Sequence, residues 1–208
     1  MSRDRTRQHA NPLSFRAPVE IPRWSEVFPR PELPLEVDVG SAHGDFLTAL
    51  AAQRPDCNYV GLELRRPMVE RVQRRLEREE LRNVHLVCCN ANAVWDQLFA
   101  PSSLRRVFVH FPDPWFKTRH HKRRVLSPAF VDQLARTLLP GGELRFMTDF
   151  EAYALAVVEQ LGGDARFENP HGPGRPAPQD PELPLTHREA WHMGRGDAIH
   201  RYVWRRRA

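Results

Sequence analysis

Leu35-Glu36-Val37-Asp38-Val39-Gly40-Ser41-Ala42-His43-Gly44 decides how this chain folds. Leu35–Val39 reads as a short buried strand, and from Asp45 to Gln53 apolar residues recur at helical spacing (Phe46, Leu47, Leu50, Ala51). A strand passing through a glycine-bearing turn into a helix is an α/β opening unit, and the alternation continues outward from it. Asn58–Glu63 is a second strand. Pro67 suits the first turn of a helix with Met68, Val69, Val72 and Leu76 on one face. Asn83–Cys88 and Arg106–Phe111 read as strands three and four. Pro128 opens a helix with Phe130, Val131, Leu134 and Leu138 inward, and Pro140-Gly141-Gly142 stops it. Glu143–Thr148 is strand five, Glu151–Leu161 a helix, and Ile199-His200-Arg201-Tyr202-Val203-Trp204 alternates like a last strand. The alternation predicts a mostly parallel sheet with helices on both faces. Ligands then bind at the carboxyl ends of the strands, near the topological switch.

The 208 residues suffice for one domain, taken as 34–208. Residues 1–33 are rich in Arg, Pro and polar side chains and read as a basic, flexible arm, and 162–184 reads as a mobile Gly/Pro-rich loop. No window approaches the roughly 20 apolar residues of a membrane span, and no signal pattern opens the chain, so a soluble cytoplasmic protein is expected. Cys57, Cys88 and Cys89 lack ligand spacing, and none of the ten histidines falls in a zinc motif, so no metal is expected. The net charge is +5, with cations concentrated at Arg3/Arg5/Arg7, Lys117–Arg124 and Arg201/Arg205/Arg206/Arg207. Such clusters suit nucleic acid. The run from Arg65 to Arg78 is interleaved with glutamates and reads as a solvated helix face.

A second stretch carries the chemistry: Phe111-Pro112-Asp113-Pro114-Trp115-Phe116-Lys117-Thr118-Arg119-His120-His121-Lys122-Arg123-Arg124. Two prolines hold Asp113 rigid and non-helical, an aromatic follows, and then a block of cations. Carboxylate, aromatic face and cations together suit a base and its phosphates. The competing reading is a tight turn and a solvated basic loop.

The strand ends supply further candidates. Gly40 lets a ligand approach the backbone, with helix amides pointing at it. A dinucleotide fingerprint is excluded, because Ala42 and Phe46 or Leu47 stand where further glycines belong. Asp38 immediately before the turn suits a cationic ligand such as the ammonium or sulfonium of S-adenosylmethionine. Glu63, ending strand two, suits ribose hydroxyls, unless it serves only as a salt bridge to Arg65 or Arg66. Asn90-Ala91 follows strand three, where an amide faces an adenine edge.

Together these residues resemble the tRNA (guanine-N7-)-methyltransferase family, over about residues 35 to 150 plus a short C-terminal motif. Phe111 to Arg124 resembles the family signature almost throughout, Met147-Thr148-Asp149 its strand-five Thr-Asp, and Thr186-His187-Arg188-Glu189 its Thr-x-x-Glu. Asp38 replaces a commoner Glu, Ala42 a Gly, Asn90 an Asp, and Arg188 a usual aromatic. The resemblance implies a Rossmann-like class I S-adenosylmethionine-dependent methyltransferase with a seven-stranded sheet, acting on guanine 46 of the tRNA variable loop. It also implies that Asp38, Gly40, Glu63, Asn90, Ala91 and Asp113 touch the cofactor, with Asp113 catalytic. Lys117, Asp149, Thr186, Arg188 and Glu189 would touch substrate, and Arg119, His120, His121, Lys122, Arg123 and Arg124 the RNA. Rival readings are a methyltransferase of this fold acting on another RNA, a protein or a small molecule, and a non-catalytic RNA-binding protein on the same scaffold.

Overall fold

The computed structural model describes residues 10–208. Seven strands form one sheet: β1 (Leu35–Val39), β2 (Asn58–Glu63), β3 (Val84–Cys88), β4 (Leu104–His110), β5 (Leu138–Thr148), β6 (Phe167–Glu168) and β7 (His200–Arg206), in the order β3-β2-β1-β4-β5-β7-β6. Strands β1 to β5 pair in parallel, and β7 runs antiparallel between β5 and β6. The order reverses between β1 and β4, which opens a crevice at their carboxyl ends.

Among the described residues seven α-helices surround the sheet: α1 (Trp24–Val27), α2 (Asp45–Gln53), α3 (Arg66–Arg78), α4 (Ala91–Leu98), α5 (Pro128–Thr137), α6 (Glu151–Gly162) and α7 (His187–Arg195). Alternate strand residues separate two cores. Tyr59, Leu86 and Phe108 pack with Phe46, Leu50, Val69 and Val72 of α2 and α3. Val37, Val60, Val107 and Leu144 pack with Trp95 of α4, Phe130 and Leu134 of α5, and Tyr153 and Val157 of α6. The expected doubly covered, mostly parallel sheet is what forms.

Several details differ from the sequence expectation. Helix α4 follows Asn90 directly; its eight residues give a periodicity too short to read against the strand beside it. Strand β5 begins at Leu138, so Pro140-Gly141-Gly142 lies within an 11-residue strand rather than before it. Part of the expected arm, residues 10–33, lies on the core. Trp24 stacks on Phe28 and Phe99, its indole N–H donates to the Leu98 carbonyl at 2.7 Å, and Phe28 is buried. Arg3, Arg5 and Arg7 fall outside the described residues. The 162–184 segment contains β6 and is fastened by an Arg145–Asp180 ion pair at 2.6 Å and a bond from the Ala177 N–H to the Arg201 carbonyl at 2.8 Å. Its Asn169 and Asp180 side chains accept from the His171 and Glu182 backbone N–H groups.

Glu36, on β1, is fully buried, and neither of its carboxylate oxygens accepts a hydrogen bond. Arg105 and Arg106 approach it at 3.7 Å. Burial pushes its carboxyl up, against the pull of Arg106, Arg54, Arg105 and Arg145. Arg106→Met strips one cation from a charge that water cannot reach. The expected loss is about 3 kcal/mol of stability, read by urea unfolding at pH 8. The double variant with Glu36→Gln should recover most of it, and a single variant as stable as the parent would remove the ion pair from the account.

Candidate functional site

The crevice at the β1/β4 switch is a cleft of about 380 Å³, within the range of small-molecule sites. Asp38, Gly40, Glu63, Asn90, Ala91 and Asp113 all line it. Residues that are 75 positions apart in sequence are thus brought together because β1, β2, β3 and β4 end side by side.

Asp38 keeps only 4% of its surface exposed. Burial, and secondarily the Glu63 carboxylate, push its carboxyl up to about 7. An acid held in this way is poised for a cation. Gly40 has φ +85, and a Cβ added there would meet nothing within 4 Å, so the turn leaves room for a ligand against the backbone. Gly44 has φ +69 and begins α2; there a Cβ would sit 2.6 Å from Val72 of α3. That close approach fixes where the amides of α2 point.

Glu63 makes the salt bridge to Arg65 and also bonds the β1 turn. Its Oε1 accepts from the Arg65 Nε at 2.9 Å and from the Arg65 backbone N–H at 3.0 Å, while Oε2 accepts from the Ala42 N–H at 3.0 Å. The carboxylate ties the β1 and β2 turns together at the cleft wall. Asn90 caps α4, its Oδ1 accepting from the Asn92 N–H at 3.2 Å, and its Nδ2 donates to the Pro12 carbonyl at 3.0 Å. Pro12 and Ala10 therefore form part of the cleft wall, which nothing in the sequence signalled.

Asp113 stands between two turns of left-handed backbone, at Phe111 (φ 46) and Trp115 (φ 47). Such backbone costs about 1–3 kcal/mol per residue and persists only where neighbours enforce it. The Phe111 N–H donates to the Met147 carbonyl at 2.7 Å, the Arg124 Nε donates to the Pro114 carbonyl at 2.8 Å, and Arg123 lies 4.9 Å over the Trp115 ring. Arg124 also lies 4.4 Å over Tyr153. Arg123 and Arg124, expected on RNA, thus face inward and brace the Asp113 loop. Lys117, Arg119 and Lys122 are exposed on and beside a 3-10 turn (Thr118–Arg123), with His120 and His121 half-buried.

The strand-five and C-terminal residues form one cluster. Asp149 pairs with Arg188 and lies 3.2 Å from the His192 Nε2. It makes no helix cap: Thr148 accepts from the Phe150 N–H just before α6 at 3.2 Å. Thr186 and Glu189 close a capping box on α7. Glu189 is buried, and its Oε1 accepts from Arg201 Nη2 at 2.8 Å and Nε at 2.9 Å. Its side chain fastens α7 to β7, whereas Thr186 and Arg188 line the cleft. Arg188 lies 5.4 Å over the Phe111 ring, at the position where an aromatic is usual.

The sequence reading did not single out His110. It ends β4, lines the cleft, and leaves Nδ1 buried without a hydrogen-bond partner. Burial, then Arg145 and Arg201, push it down to about 3, so the imidazole is neutral. The only available signal was a polar residue inside the run Val107–Phe111. Among the described residues no group of His, Cys, Asp and Glu is placed to hold a metal, and no helix is long and apolar enough to cross a membrane.

Residues 32–201 match a protein family described as "Putative methyltransferase". A tRNA (guanine-N(7)-)-methyltransferase of Thermosynechococcus vestitus is 38% identical over 97% of this chain and 95% of its own length. A protein of the same name from Synechococcus sp. (strain JA-3-3Ab) is 40% identical over 98% of this chain and 86% of its own. Among solved structures, an rRNA methylase from Streptococcus thermophilus superposes with a TM-score of 0.57 at 15% identity, over 89% of this chain and 92% of its own, which is a likeness of fold. With the signature loop, the strand-end acids and these relatives in agreement, the chain belongs to the tRNA (guanine-N7-)-methyltransferase family.

Proposed function

We propose that the cleft holds S-adenosylmethionine and presents its methyl to N7 of guanine 46, displayed by the variable loop of tRNA in the cytoplasm. The observation that carries this reading is the buried, proton-hungry Asp38 facing the same cleft as the braced Asp113. A deep carboxylate suits the ammonium end of the cofactor, and the open space at Gly40 suits close approach of its chain to the backbone. Glu63 suits the ribose hydroxyls, and Asn90-Ala91 the adenine edge. When bound, the cofactor supplies a methyl on a positively charged sulfur.

Guanine N7 already offers an in-plane lone pair, so no base is required to expose it. The residues act by alignment and by charge. Asp113 meets the positive charge that grows on the purine and accepts from its N1 and N2 donors. Asp149, oriented by Arg188 and His192, supports the far side of the base. N7 of paired RNA lies in a deep narrow groove, so the guanine must be displayed outside a regular helix.

Incubation with labelled cofactor and unmodified tRNA transcript, followed by mapping of alkali-labile N7-methyl positions, tests the reading. One labelled guanine in the variable loop is the expected result; unlabelled tRNA would overturn it. The exposed cations make a separate prediction. Replacing Arg119 and Lys122 with Gln should lower the slope of log affinity against log salt by about two, roughly one per lost phosphate contact. An unchanged slope would put the RNA elsewhere. Arg123 and Arg124 are unsuited to that test, because changing them loosens the Asp113 loop as well.

A further inference from the structure

We propose that the outer face of α7, centred on Trp191, is a stacking platform for an unpaired nucleotide near the methylated guanine. The proposal rests on the tRNA reading above and extends its substrate surface beyond the signature loop. The inner face of α7 is buried through Glu189 and His192. His187, Trp191 and Arg195 follow one another about a turn apart along the exposed side, with Arg188 on the flank toward the cleft. Trp191 is 52% exposed, which is a large indole surface left in water.

Its neighbours connect it to the site. The His192 ring meets the indole edge at 4.8 Å and stacks on Phe111 at 5.6 Å with an interplanar angle of 17°. Phe111, His187 and Arg188 line the cleft, so Trp191 stands at its rim. The Arg195 guanidinium lies 4.7 Å from the indole centroid. Although Arg195 also pairs with Asp197 at 3.2 Å, 59% of its side chain stays exposed. Gly194 lies three residues from Trp191, on the same side of the helix. A Cβ there would meet nothing within 4 Å. Glycine is the poorest helix former after proline, and here it keeps the space beside the indole open.

A half-exposed aromatic ring with a cation beside it is an arrangement that grips single-stranded nucleic acid: the base stacks on the ring, and Arg195 meets an adjoining phosphate. An apolar protein partner would instead have to desolvate the Arg195–Asp197 pair, whose arginine side chain is 59% exposed.

The test is steady-state methylation of tRNA by Trp191→Ala, Trp191→Phe and Gly194→Gln, with cofactor affinity measured alongside. Trp191→Ala should raise KM for tRNA about tenfold, leaving kcat and cofactor affinity within about twofold. Trp191→Phe should retain most of the affinity. Gly194→Gln, which fills the space beside the indole, should raise KM without unfolding α7. An unchanged KM in Trp191→Ala would overturn the proposal, as would a fall in kcat alone, which would mean that the indole only props His192. Failure of the parent protein to methylate tRNA would instead defeat the function itself, a result these variants do not imitate.

Discussion

Asp113→Ala should lower kcat for tRNA methylation by a hundredfold or more while tRNA affinity stays within a few-fold. The carboxylate is not a chance acid on a loop. Pro112 and Pro114 flank it, left-handed backbone at Phe111 and Trp115 turns the chain on either side, and Arg123 and Arg124 brace the result. Backbone strain of this kind fixes one direction for the side chain before substrate arrives. Methyl transfer moves positive charge from sulfur to the guanine ring, so a preoriented anion interacts more strongly with the transition state than with the bound ground state. Removing one such group typically costs about 10²–10³ in rate. The phosphate contacts assigned to Arg119 and Lys122 are untouched, which is why binding should persist. Single-turnover methylation at saturating cofactor, with filter binding of tRNA, separates the two quantities. A near-parental rate in the alanine variant would remove Asp113 from the chemistry.

Asp38→Asn should weaken S-adenosylmethionine binding about a hundredfold, yet make the cofactor-free protein more stable above neutral pH. The loss follows from deleting one partner of a buried charge pair, about 3 kcal/mol. The gain follows from proton linkage. Asp38 holds its proton up to about pH 7 in the folded chain, against an ordinary value of 3.8. Ionising it therefore opposes folding, and stability from this group declines as pH rises from about 4 to 7, then stays low. Asparagine escapes that penalty. The melting temperature of the variant should exceed the parent's clearly at pH 8, less at pH 5, and not at pH 4. Cofactor affinity of the parent should fall as pH drops below about 7, because the cation needs the ionised form. Calorimetric titration and thermal unfolding across this range measure both effects. Equal affinity in the two proteins, or a melting gain that ignores pH, would defeat this account of Asp38.

Much of the site was legible because each acid lies at the end of a hydrophobic run. Asp38, Glu63 and Asp113 could be found from strand boundaries alone, since a parallel sheet delivers all its carboxyl ends to one side. His110 escaped notice because a single polar residue within Val107–Phe111 looks like noise in a strand pattern, although the residue lines the cleft and its Nδ1 is buried without a partner. Pro12 was equally unreadable, since its place in the wall depends on an amide 78 residues away.

Most of the strand–helix alternation along the chain, the proline-flanked acid and the cation block were determined by the sequence itself, because periodicity, proline geometry and charge are local properties. What each polar side chain does was decided only by the tertiary structure. Lys122 and Arg124 are near neighbours in a basic run, yet one faces solvent and the other is packed on Tyr153 and bonded to Pro114. Asn90 caps a helix and holds Pro12, and Glu189 is committed to Arg201. Hydrogen bonds and burial depend on partners far along the chain, and no local pattern carries that information.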